Sequence, residues 1–152
     1  MKGVTDMKIW FDMDGTIADL YGVTDWLPML CASDPTPYAI AKPLVNLSRL
    51  ARYLNRLQKM GHEIGVISWL SKTSTPEYDA MVSSAKMFWL GRHLPSVKWD
   101  EIKIVSYGTN KWESCGEGIL FDDEARNRDT WGGAAYEPDN IFEILTELVK
   151  AD

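Results

Sequence analysis

Cysteine is scarce: Cys31 and Cys115 are the only two, and they stand far apart in the chain. Two thiols cannot build a disulfide framework, and this spacing does not match a zinc site. Reduced thiols in a cytoplasmic protein are the expectation. Long apolar runs are missing as well. The segment "MKGVTDMKIWF" has none of signal-peptide length, and no later stretch is expected to span a bilayer. Positive charge is in deficit, with 16 Lys and Arg against 22 Asp and Glu, a formal net charge of −6. Such a surface does not suit broad contact with a nucleic-acid backbone, which calls for basic residues. It leaves room for a small phosphorylated substrate met by one or two local cations. Internal repeats, low-complexity tracts and linkers are also lacking, so the 152 residues are expected to form one domain. Met7 offers a second start, which makes residues 1 to 6 a candidate leader.

What is present is alternation. Residues 7 to 12 (MKIWFD), "HEIGVIS", "EIKIVS", "GILFDD" and the brief "GAAYE" read as strands. Helical patterns separate them. Leu47, Leu50, Leu54 and Leu57 recur at helical spacing, with Pro43 suited to the first turn and Gly61 to the end. Ser74-Thr75-Pro76-Glu77 has capping-box spacing before an apolar stripe of Met81, Ala85, Phe88 and Trp89. Asp139 is expected to cap a last helix that buries Ile141, Phe142, Leu145, Leu148 and Val149. Between Tyr21 and Pro43 prolines break the chain, and "TDWLPMLC" is expected to form one short helix capped by Thr24 or Asp25. The whole pattern predicts a Rossmann-like α/β fold, three-layered, with a mainly parallel five-stranded sheet. Ligands of such sheets bind at the carboxyl ends of the strands. Asp12, Ser68 and Asp122 each close a strand, so one rim should carry all three.

That rim is where chemistry is expected. In "KIWFDMDGTIADL" a strand delivers Asp12 and Asp14, two residues apart, into a turn that Gly15 permits. Carboxylates held close repel unless a cation separates them or one keeps its proton. Asp122 and Asp123 add a second acidic pair, and a hard cation such as Mg²⁺ would neutralise the group. Ser68 and the backbone N–H groups after it, Trp69's included, are candidates to hold a phosphate oxygen. Lys111, in "YGTNKWES", lies beside a helix start and just before the fourth strand. There it can pair with a carboxylate and neutralise bound phosphate.

Strand-DxDGT, strand-Ser, Lys and strand-DD, in that order, resemble the haloacid dehalogenase superfamily. "FDMDGTIADL", "VISWLS", "NK" and "ILFDDE" match its four motifs in turn, across residues 8 to 124. The resemblance implies that Asp12 is a nucleophile forming an aspartyl-phosphate and that Asp14 is the general acid and base. It implies Mg²⁺ among Asp12, the backbone carbonyl of Asp14, and Asp122 or Asp123. Ser68 and Lys111 would hold the transferring phosphoryl group. Asp14, with the acidic pair, favours phosphomonoester hydrolysis within that superfamily.

"DMDG" followed by Ala18-Asp19, the "MFWLGRHLP" segment and the spacing of "NK" to "DD" look similar to the 5'(3')-deoxyribonucleotidase group. That similarity implies a nucleoside monophosphate as substrate. The insertion that would cover the site is short here, about residues 20 to 42. Tyr21, Trp26, Tyr38 and Trp69 are candidates for stacking on a base, and Arg126 for contacting substrate. Two alternatives stand beside this: another phosphomonoester (a sugar phosphate, a nucleic-acid end or a phosphoprotein), or a binding module without turnover. A homo-oligomer is left open.

Overall fold

Alternate residues of the first strand, β1 (Lys8–Phe11), feed opposite faces of a sheet. Ile9 and Phe11 join one buried cluster; Trp10 joins another. The computed structural model describes residues 6–151, so the candidate leader lies outside the described residues except for Asp6. After β1 come β2 (Ala18–Asp19), helices α1 (Trp26–Cys31) and α2 (Thr36–Ile40), and β3 (Lys42–Pro43). Then follow α3 (Leu47–Lys59), β4 (Glu63–Trp69), α4 (Pro76–His93), β5 (Glu101–Val105), α5 (Lys111–Cys115) and β6 (Ile119–Phe121). The chain closes with α6 (Ala125–Asp129), β7 (Ala135–Tyr136) and α7 (Ile141–Lys150). The main sheet is ordered β5-β4-β1-β6-β7 with every pairing parallel, and β2 and β3 form a separate antiparallel pair.

Helices on both faces cover the apolar strands. Leu50, Leu54 and Leu57 of α3 and Ile141 and Leu145 of α7 pack on the Ile9 and Phe11 side. On the other side Trp10, Ile67, Leu120 and Trp131 form a second cluster, with Trp112 of α5 against it. Gly65 is required there, because a Cβ would stand 2.5 Å from the Trp10 ring. The Rossmann-like α/β architecture read from the alternation is the one observed.

Local details differ from expectation in four places. Pro43 sits in β3; α3 begins at Leu47, where the Asn46 side chain accepts the Arg49 N–H at 3.0 Å. The cap of α4 is Thr75, whose hydroxyl accepts the Tyr78 N–H at 3.1 Å, one residue past the expected Ser74. Asp139 lies in a single 3-10 turn, and α7 follows Asn140 without a side-chain cap. The buried face of α4 is Tyr78, Val82, Ala85, Lys86, Trp89 and Leu90, whereas Met81 and Phe88 are exposed. Asp25 does occupy the N-cap of α1, but without a side-chain capping bond.

Candidate active site

The sheet order puts β1 between β4 and β6, so the residues that follow these strands converge at one rim. Asp12, Asp14, Trp69, Lys111, Asp122 and Asp123 line one cleft of about 280 Å³. Its far wall comes from the 20–42 segment through Leu20, Tyr21, Trp26, Leu27, Leu30 and Tyr38.

Lys111 ties the floor together. Its Nζ donates to Asp12 Oδ1 at 2.9 Å and to Asp122 Oδ2 at 2.6 Å, almost wholly buried. Burial disfavours the ammonium, but Asp12 and Asp122 outweigh it and hold the lysine pKa above its ordinary value. Asp122 is fixed further by the Glu124 N–H and the Asn127 side-chain amide, at 2.9 and 3.1 Å. Thr16, also buried, donates to Asp12 Oδ2 at 3.0 Å or to Asp123 Oδ1 at 3.2 Å, and its hydroxyl accepts the Asp123 N–H. Lys111 thus holds one oxygen of Asp12, and the Thr16 hydroxyl stands beside the other.

Asp12, Asp122 and Asp123 can each bring a carboxylate oxygen within 4.8 Å of the others. Burial, then the charge of Asp12, pushes Asp123 up to about 7 and raises Asp122 as well. Three crowded carboxylates with one ammonium among them are short of positive charge. All the donors are hard oxygens, so the set fits a divalent cation such as Mg²⁺. The carboxylate of Asp14 stands outside this trio.

Gly15 makes the trio compact. Its φ is +81°, and a Cβ there would collide with the Asp123 carboxylate, 2.6 Å from its Cγ. Gly15→Ala is expected to force Asp123 aside and to cost about 1–3 kcal/mol in backbone strain. The rise in melting temperature on adding Mg²⁺ should shrink or vanish in that variant. An unchanged Mg²⁺ response would show that Asp123 plays no part in binding.

Asp14 faces a partner that the sequence reading missed. Lys86, with 0% of its surface exposed, donates to Asp14 Oδ2 at 2.8 Å, Ser68 Oγ at 2.6 Å and the Trp69 carbonyl at 2.7 Å. Burial raises the Asp14 pKa, and the Lys86 ammonium pulls against that rise. Ser68 reaches the rim as expected, yet it is fully buried behind the cleft wall. The Leu70 N–H is taken by the Val105 carbonyl, which removes one of the expected backbone donors.

Tyr21, Trp26, Tyr38 and Trp69 all line the cleft. Tyr21 and Trp26 meet edge to face at 4.9 Å, and Tyr38 is buried with Lys86 over its ring. Trp69 donates its indole N–H to Thr109 and lies under both Lys111 and Arg126. Arg126 does not line the cleft; it covers Trp69 from outside. Thr16 and Asn127, like Lys86, were not singled out from the sequence. Thr16 had a signal, since a hydroxyl four residues after Asp12 falls within reach of it across the turn.

No family model matches the chain, and no curated protein matches it by sequence. Among solved structures, it is similar in fold to D,D-heptose 1,7-bisphosphate phosphatase from Burkholderia thailandensis. The TM-score is 0.54 over 93% of this chain and 97% of that one, at 12% sequence identity. At that identity the likeness establishes a shared fold. No helix among the described residues is long and apolar enough to cross a membrane.

Proposed function

We propose that the chain is a Mg²⁺-dependent phosphomonoester hydrolase with Asp12 as its nucleophile. The observation that carries this is Asp12 itself: a buried carboxylate at a strand end, opening on a cleft, with Lys111 at 2.9 Å and a cation-deficient acidic trio around it. The motif order resembles the haloacid dehalogenase superfamily, and the structural neighbour that shares the fold is a phosphatase by name.

An Asp12 oxygen would attack phosphorus in line, forming the P–O bond of an aspartyl-phosphate as the bond to the leaving oxygen breaks. Asp14 would give that oxygen its proton, releasing an alcohol. Asp14 would then take a proton from water as the water attacks phosphorus, and the bond to Asp12 breaks to give inorganic phosphate. Lys111 would counter the charge on the phosphoryl oxygens and the Trp69 amide would add a hydrogen bond, while Ser68, buried behind the cleft wall, would act through Lys86. Asp12, Asp122 and Asp123, with the Asp14 carbonyl, would hold the Mg²⁺. When bound, the ion neutralises the carboxylates and polarises the phosphoryl group.

For the substrate, the cleft wall supports a small monophosphate with a flat or apolar leaving group, a nucleoside monophosphate above all. Six apolar or aromatic side chains of the 20–42 segment face the acidic floor. That segment would act as a reduced cap. A bisphosphate would need a second cationic subsite, and besides Lys111 the cleft lining includes only Lys72 as a cation. The test is a panel of nucleotides, sugar phosphates, phosphopeptides and phosphorylated nucleic-acid ends, assayed with Mg²⁺ and with chelator. Nucleoside monophosphates should be hydrolysed fastest, and chelator should stop turnover. Equal rates across the panel would overturn the nucleotide assignment; no turnover of any member would overturn the phosphatase.

A further inference from the structure

A lysine with no exposed surface is rare unless its charge is paired, because desolvating an ammonium is costly. Lys86 meets that cost by filling all three of its N–H bonds: Asp14 Oδ2, Ser68 Oγ and the Trp69 carbonyl, each within 2.8 Å. The helix that carries it is long, and Val82, Ala85, Trp89 and Leu90 are buried on the same face, so the stem has a fixed course. The Tyr38 ring, 4.9 Å from Nζ, closes the remaining side. Two of the three acceptors belong to β4 and one to the loop after β1. Lys86 thus joins the strand that bears Ser68 to the turn that bears Asp14.

We infer that Lys86 is a positioning residue: anchored by Ser68 and the Trp69 carbonyl, it fixes the Asp14 carboxylate for proton transfer to the leaving oxygen. One oxygen of Asp14 is pinned by the ammonium, which leaves the other to meet the substrate. Without Lys86 the Asp14 side chain would be free to rotate in a site where misplacement by about 1 Å costs around 100-fold in rate. This inference rests on the proposed phosphatase reading for its kinetic meaning, though not for its geometry.

The experiment compares wild type with Lys86→Met, which keeps the length of the stem and removes the ammonium. Two phosphomonoesters are used: an alkyl ester, whose poor leaving group needs a proton, and 4-nitrophenyl phosphate, whose leaving group does not. The readout is kcat/KM, which reports steps through departure of the leaving group and excludes later hydrolysis of the aspartyl-phosphate. On the alkyl ester Lys86→Met should lose about 100-fold or more, the scale of general acid catalysis. On the aryl ester the loss should stay within roughly 10-fold. Equal losses on both esters would mean a merely structural role and would overturn the inference, as would no loss on either. If Lys86→Met does not unfold cooperatively, Lys86→Leu, which also fills the apolar course of the stem and offers no donor, takes its place under the same criterion. Should wild type hydrolyse neither ester, the phosphatase reading fails by itself. The crystal structure of the variant then decides: an unmoved Asp14 side chain overturns the positioning role, and a rotated one supports it.

Discussion

Asp12→Asn is expected to abolish phosphomonoester turnover, by on the order of 10⁵-fold or more, while the protein stays folded. The amide cannot form the acyl phosphate, so the loss should fall on kcat with every substrate alike. Trapping with beryllium or aluminium fluoride, which mimics a phosphoryl group on the carboxylate, should fail in the same variant. Stability is expected to hold or rise. Asp12 is one of three crowded carboxylates, and its charge helps to push Asp122 and Asp123 upward in pKa. Removing it relieves that repulsion, and Lys111 keeps Asp122 as its partner at 2.6 Å. An Asn side chain can still offer its carbonyl to Lys111 and its amide to the Thr16 hydroxyl. Thermal unfolding, turnover and trapping together check this outcome. Turnover within about tenfold of wild type would remove Asp12 as nucleophile. A variant that lost turnover only by unfolding would remove it from evidence altogether, so the melting curve is part of the test.

The sheet was legible because its strands are short apolar runs separated by helical patterns, a signal that survives errors at element ends. The acidic residues of the rim were legible for a related reason. Asp12 and Asp122 follow buried strands, and Gly15 marks the turn, so topology alone brings them together. Lys86 was hidden by its neighbours. Met81, Ala85, Phe88 and Trp89 read as an apolar stripe, whereas the buried face runs through Tyr78, Val82, Ala85, Lys86, Trp89 and Leu90. Val82, Ala85, Lys86 and Trp89 are spaced three, four and seven apart, which is one helical face with a lysine inside it. Apolarity outvoted spacing there, because a sequence does not say whether a cation has buried acceptors waiting. The cap of α4 and the start of α3 slipped for a different cause: several polar residues compete for each helix end, and tertiary contacts choose among them.

Lys111→Met is expected to be the most damaging single change to stability in the floor of the cleft. The ammonium is buried, and two carboxylates depend on it at 2.9 and 2.6 Å. Removing one partner of a buried pair leaves the other uncompensated, at about 3–5 kcal/mol. For a domain of this length that lowers the melting temperature by on the order of 10 °C in metal-free buffer. Two further consequences separate this from a packing defect. Mg²⁺ should recover part of the loss, since a cation among Asp12, Asp122 and Asp123 replaces the missing charge; its effect on the melting temperature should exceed that in wild type. The pH dependence should also sharpen. Burial and Asp12 already hold Asp123 up to about 7 in the folded chain, above the unfolded value of about 4. The folded form therefore binds that proton more tightly, so this group's own contribution to metal-free stability is greatest below about pH 4 and declines as pH rises towards about 7. Without Lys111 the carboxylates repel more strongly, and the decline should steepen. Melting curves of both proteins across that range, with and without Mg²⁺, check the three effects. A variant whose stability loss ignored both Mg²⁺ and pH would show that Lys111 acts by filling space. In that event the acidic trio would not be the cation-deficient floor on which the proposed chemistry depends.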